Sequence, residues 1–160
     1  MNQSMAKKGK HTVESCQVWH DESRNQPKRN ISVAFLTIIT MLALMQFAYF
    51  GIRVGGARGK FGVNAPATSG HEEFDRYYRV HYNTMEQLII FIPSLWAFGY
   101  FVGNLWAVGF GVIFLVGRFV YAYTYIKDPK SRGVGMLMSI LPCYLMILGA
   151  LIGAVMNQFF

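Results

Sequence analysis

Charge is sparse in this sequence. Only 14% of its 160 residues are Asp, Glu, Lys or Arg, where a soluble domain carries roughly 25%. That deficit argues against a soluble enzyme, a nucleic-acid binder or a disordered chain. Cysteine is scarce too. Cys16 and Cys143 form no CxxC pair and no disulfide framework, and Cys143, behind Pro142 in an apolar run, reads as a small packing residue. His11, His20, His71 and His81 stand at no metal-ligand spacing such as HExxH, so no metal is expected. There is no GxSxG elbow. Gly55, Gly56, Gly59 and Gly62 follow an apolar segment of membrane-spanning length, not the short strand that a phosphate cradle needs.

What is abundant is apolar and aromatic: 53% of residues are hydrophobic and 16% aromatic. The net charge of +7 is unevenly placed. No charged residue lies between Arg29 and Arg53, none between Glu86 and Arg118, and none after Arg132. Apolar runs of about 20 residues match a hydrocarbon core roughly 30 Å thick. The expected fold is therefore an all-α integral membrane bundle of four transmembrane helices, too small for a second domain.

Residues 1–30 are polar and mixed in charge and read as a disordered tail. The membrane domain covers 31–157, with helices expected at about 31–52, 73–101, 105–126 and 133–156. The first run is too long for the 7–15-residue core of a signal peptide. A Gly-rich basic loop is expected from Arg53 to about Glu72, a tight turn at Gly103-Asn104, and prolines inside two helices at Pro93 and Pro142. With four spans both termini share one side. The other side carries Arg53, Arg58, Lys60, Lys127, Lys130 and Arg132, so the positive-inside rule favours cytoplasmic loops.

Two polar stripes carry the chemistry. At about 100° per residue, Arg76, Arg79, Asn83, Glu86 and Gln87 share one face of the second helix. A solvated helix end, with Asp75 and Arg79 as an i,i+4 pair, accounts for the first of these turns. It does not suit Asn83 and Glu86, deeper in, where ionisable groups are costly and usually functional. The set would suit a zwitterionic ligand: Arg79 for a carboxylate, Glu86 for an ammonium, Asn83 for an amide. On the third helix Arg118, Tyr121 and Tyr125 share a face. Tyr123 points elsewhere and reads as part of an interfacial aromatic belt. Arg118 needs an anionic partner, for which Glu86 and a ligand carboxylate are the candidates, and Arg132 lies near the same mouth.

These residues resemble a known family, the membrane-associated proteins in eicosanoid and glutathione metabolism. The matching blocks are Ala57-Arg58-Gly59-Lys60-Phe61, Glu73 to Arg76, Arg79 to Gln87, Gly117 to Tyr125, Pro129 and Arg132-Gly133. The RxxxNxxE element paired with a later GRxxYAxxY element is the specific part. The likeness is to the bacterial branch and to the microsomal glutathione transferases of the leukotriene-synthase-like subgroup. It implies a homotrimer, located in a bacterial inner membrane, with glutathione bound as co-substrate between subunits near the cytoplasmic edge. Arg58, Arg79, Asn83, Glu86, Arg118, Tyr121 and Tyr125 would form the glutathione site, and Arg132 would be the catalytic residue stabilising the thiolate. The second substrate would be a hydrophobic electrophile or a lipid hydroperoxide taken from the membrane lipids.

The pattern departs from the leukotriene-forming synthase at Gly59, where it has a second arginine, and from the family at His81, commonly a glutamine, and at Gln87, a tyrosine in some relatives. His81 points off the stripe and reads as packing. The expected function is a membrane glutathione transferase, with glutathione peroxidase activity as an extension. A non-enzymatic lipid-binding accessory protein of the same family is the alternative. A small four-helix exporter ranks below both, because it would need a membrane-embedded carboxylate, commonly on the first helix, which has none.

Overall fold

The computed structural model describes residues 33–159; the tail read over 1–30 lies outside them. The described residues form four helices: α1 (Val33–Phe61), α2 (Glu72–Phe101), α3 (Asn104–Lys127) and α4 (Gly133–Phe159), with a 3-10 turn at Pro129–Arg132 between the last two. No strand occurs among the described residues. α1, α3 and the Pro129–Phe159 segment are long and apolar enough to cross a membrane. α2 carries the polar stripe in its first half and is apolar from Leu88 onward.

α1 runs nine residues past the expected end at Ile52, because its apolar spacing continues through Val54, Ala57 and Phe61. Val54 and Ala57 are buried with Phe74 of α2, and Phe61 packs against them. The helix stops at Gly62, whose positive φ of 67° lets the Val63 N–H reach back to the Arg58 carbonyl at 3.1 Å, a glycine-terminated helix end. Starting α2, His71 Nδ1 accepts from the Glu73 N–H, and Glu72, Glu73 and Asp75 place negative charge in the first turn, where the helix dipole favours it. The expected Asp75–Arg79 pair does not form. Asp75 instead accepts from the Gly70 N–H, and Arg76 pairs with Glu72 one turn earlier.

The main core joins all four helices. Ile39 and Ala43 of α1 meet Phe91, Leu95 and Phe98 of α2, Ala107 and Phe114 of α3, and Cys143 and Met146 of α4. Phe91 and Phe114 stack with centroids 3.8 Å apart. Polar side chains fasten α1: Gln46 donates to the Leu115 carbonyl at 2.9 Å, and the Trp96 indole N–H to the Thr40 hydroxyl at 3.1 Å. Such interhelical bonds take over the role that the hydrophobic effect cannot play between helices in lipid. The outer surface is apolar. Met45, Ile89, Leu105, Trp106 and Leu137 are 62 to 82% exposed, a surface that a soluble monomer rarely presents and a bilayer covers.

Two glycines let α3 and α4 approach closely. A methyl group on Gly135 would overlap the Tyr121 backbone, and one on Gly117 would lie 2.9 Å from the Met138 carbonyl carbon. Gly135→Ala should therefore push α4 away at Tyr121. Overpacking of this kind costs about 1–3 kcal/mol, to be read as a lower thermal midpoint in detergent; an unchanged midpoint would show that the two helices have slack there.

Candidate functional site

The site lies where α2, α3 and α4 converge. Asn83, Glu86 and Gln87 of α2, Arg118 and Tyr121 of α3, and Met136 and Ile140 of α4 line a cavity of about 190 Å³. The α2 residues face it because positions 83, 86 and 87 follow helical spacing. Asn83 donates from its amide nitrogen to the Tyr121 hydroxyl at 2.6 Å, locking the two side chains together.

Arg118 is the largest fully buried side chain of the described residues, at 2% exposed. It donates to the Thr84 hydroxyl at 2.6 Å, and its guanidinium carbon sits 4.3 Å from the centre of the Tyr121 ring. The Thr84 hydroxyl in turn donates to the Val80 carbonyl at 2.6 Å. Glu86 lines the same cavity but forms no ion pair with Arg118, so of the two anionic partners expected from the sequence this one is not used. Glu86 is exposed at the surface while Arg118 is buried. The Arg118 Nε has no hydrogen-bond partner among the described residues. No carboxylate among the described residues pairs with Arg118, an expensive arrangement for a buried cation that a negatively charged ligand would relieve.

A ladder of rings and cations leads out of the cavity. Tyr121 stacks on Tyr125 with centroids 5.4 Å apart and planes 21° from parallel. The Arg132 guanidinium stands 5.8 Å from the Tyr125 ring. Arg132 gets there because Asp128 caps the 3-10 turn, accepting from the Lys130 N–H through its side chain, while Ser131 donates to the Asp128 and Thr124 carbonyls. Thus Asn83, Glu86, Arg118 and Tyr121 meet in one cavity, with Tyr125 and Arg132 aligned at its edge.

Two expected site residues lie elsewhere in the single chain. Arg79 is on the same face as Glu86 but seven residues earlier, about 10 Å along the axis. It lines a separate hollow of about 430 Å³ with Thr68, Ser69, Asp75, Tyr78 and Tyr82. Arg58 donates to the Val63 and Ala67 carbonyls at 3.4 and 2.7 Å and packs over Phe74, so it shapes the α1–α2 loop. His81 stacks flat on Phe47 at 4.3 Å, as a packing residue does. Tyr123 is 71% exposed. Cys143 is buried, its thiol directed at the Ser139 carbonyl.

Sequence reasoning missed Thr84, Met136 and Ile140. Thr84 had a signal: it is the polar member of the otherwise apolar row Val80, Thr84, Leu88, Phe91, and a buried hydroxyl needs a partner. Met136 and Ile140 had none, since nearly every residue of α4 is apolar.

Comparison with known proteins agrees with this architecture. Residues 33–152 match the sequence profile of the MAPEG family. The chain is 42% identical to an uncharacterized protein of Synechocystis sp. over 115 residues, covering 72% of this chain and 84% of that protein. It is 35% identical to human microsomal glutathione S-transferase 2 over 117 residues, 72% of this chain and 80% of the relative. With bovine leukotriene C4 synthase it shares 32% identity over 121 residues, 76% of this chain and 81% of the relative. A four-helix membrane bundle, a buried arginine facing an acid-and-amide cavity, and similarity over most of its length together make this chain a member of the MAPEG family.

Proposed function

We propose that this protein is a membrane glutathione transferase that conjugates the glutathione thiolate to hydrophobic electrophiles and reduces lipid hydroperoxides. The observation that carries the reading is the cluster of Asn83, Glu86, Arg118 and Tyr121 with the Tyr125–Arg132 ladder at its edge. Glutathione has two carboxylates, one ammonium, two amides and a thiol. The donor set fits it: the unpaired side of Arg118 for a carboxylate, Glu86 for the ammonium, Asn83 and Tyr121 for amide groups. Arg132 would hold the thiol as its anion, since a nearby guanidinium favours the charged form. The thiolate sulfur would then form a bond to an electrophilic carbon while the leaving group departs with its electron pair. An apolar protein surface beside the site supplies electrophiles already dissolved in the bilayer and brings the reactants together.

The reading includes a homotrimer. A cavity of 190 Å³ is below the roughly 300 Å³ at which small-molecule sites begin, and Glu86 and Arg79 face outward from the single chain. An adjoining copy would roof the cavity and bring its own Arg58 to it. The reading also takes the protein to be in a bacterial inner membrane, and the excess of Lys and Arg on the loop side supports a site at the cytoplasmic edge.

The test is direct. Purified protein in detergent is given glutathione with chloro-dinitrobenzene, and separately with an organic hydroperoxide. Conjugation, thiolate absorbance and saturable glutathione binding are expected, and Glu86→Ala or Arg79→Ala should weaken binding before it lowers turnover at saturation. Absence of turnover, thiolate absorbance and binding together would sink the proposal.

A further inference from the structure

A second and larger cavity lies on the other side of α3. It measures about 470 Å³ and opens between α1, α2 and α3, and its lining shares no residue with that of the candidate site. Phe50, Val80, Phe119 and Ile126 form apolar walls, and Arg53 and Lys127 are its charged lining residues. Its volume is within the range of about 300–1,000 Å³ typical of small-molecule sites.

Arg53 is held in place before any ligand arrives. It donates to the Tyr49 hydroxyl at 2.9 Å and to the Tyr77 hydroxyl at 3.3 Å, and its guanidinium carbon lies 5.7 and 5.1 Å from those two ring centres. An arginine has five N–H donors, so three remain for an acceptor. Neither Arg53 nor Lys127 forms an ion pair among the described residues, and no carboxylate lines the cavity. Arg53 and Tyr77 also border a shallower hollow of about 350 Å³ that carries Lys60, seven residues further along α1. The order along α1 is thus an apolar cleft, a fixed guanidinium, then an exposed lysine at the end of the helix.

That order matches an anionic phospholipid: acyl chain, phosphate, headgroup. We propose that the α1–α2–α3 cleft binds a phospholipid of the surrounding bilayer that carries net negative charge, with one acyl chain against Phe50 and Phe119. Arg53 receives the phosphate, where paired N–H donors fit two oxygens at once. Lys127 and Lys60 add the field that selects an anionic head over a zwitterionic one, as basic pockets between membrane helices do. A second copy of the chain is a poorer occupant, because it would have to bring an anion to two cations.

Native mass spectrometry of the full-length protein in detergent tests this, reading lipid occupancy and chain number in one spectrum. Phosphatidylglycerol, phosphatidylcholine and oleate are titrated separately. Phosphatidylglycerol should bind about 10- to 30-fold more tightly than phosphatidylcholine, and R53Q/K127Q should abolish the difference while thermal midpoint and helical content stay unchanged. If the double variant does not fold, Lys127→Gln alone, at an exposed and unpaired side chain, should still reduce the preference about threefold. Equal affinities for the two phospholipids, a preference that survives in R53Q/K127Q or is undiminished in Lys127→Gln, or tight binding by oleate alone would overturn the proposal. So would a changed number of chains with lipid occupancy unaltered, which would make the cleft a subunit contact.

Discussion

Arg132→Ala should lower turnover with glutathione and chloro-dinitrobenzene by about 10²-fold or more, the usual cost of losing one positioned donor to a developing or held anion. Glutathione affinity should change by less than about threefold. The split follows from where Arg132 sits. It stands on the 3-10 turn above Tyr125, at the edge of the cavity and outside its lining, so it would meet the thiol and not the charged ends of the tripeptide. A thiol left beside an alanine would ionise less, and the thiolate is the nucleophile. Thiolate absorbance of the glutathione complex should fall in step with turnover. Equal losses in affinity and turnover would place Arg132 in binding instead, and no loss would remove it from the mechanism.

Arg118→Met should have the opposite signature. Without glutathione the variant should be as stable as the parent or more so, because replacing a buried charge with an apolar side chain of similar length is often neutral or stabilising by about 1–4 kcal/mol. Thr84 keeps its bond to the Val80 carbonyl, so the exchange leaves no orphaned hydroxyl donor. Glutathione, however, should bind at least about 30-fold more weakly, the lower end of the cost of truncating one partner of a buried charged pair. The rise in thermal midpoint that saturating glutathione gives the parent should shrink accordingly. Thermal melts with and without glutathione separate the two effects. A variant that is destabilised without ligand yet still binds normally would make Arg118 a structural residue only.

The two variants also probe different parts of what the sequence disclosed. Arg118 was conspicuous as the single charge in a long apolar run, and Arg132 as a cation at the following turn. Neither position revealed its neighbours. Of the two anionic partners expected for Arg118, Glu86 lies on the right face of α2, but its side chain is exposed while Arg118 is buried. Thr84, one position from Asn83, takes the hydrogen bond instead. Helical periodicity specifies direction around an axis. It does not specify depth, and a carboxylate gains more from staying near water than a hydroxyl does. The same limit separates Arg79 from Glu86, which share a face and line different hollows.

The end of α1 was a different kind of miss. Glycines and basic residues after Ile52 look like a loop by composition, yet Phe50, Val54, Ala57 and Phe61 keep helical spacing. Composition outweighed periodicity in the expectation, and burial against Phe74 decided for the helix. One consequence is functional. The added turns carry Arg53 and Lys60 on a rigid helix, which is why a guanidinium can be fixed at the mouth of the α1–α2–α3 cleft.

By itself the sequence determined that this is a helical membrane protein and roughly where three of its helices begin and end. It did so because a bilayer rejects charge over about 30 Å, and gaps between charged residues therefore mark the spans. It also marked the two polar stripes, since unpaired polar groups in such runs are costly unless used. Tertiary structure alone decided which stripe residues meet. That choice depends on how closely α3 and α4 approach at Gly135 and Tyr121 and how deep each side chain lies. Both are results of packing between segments far apart in the chain, and no local pattern encodes them.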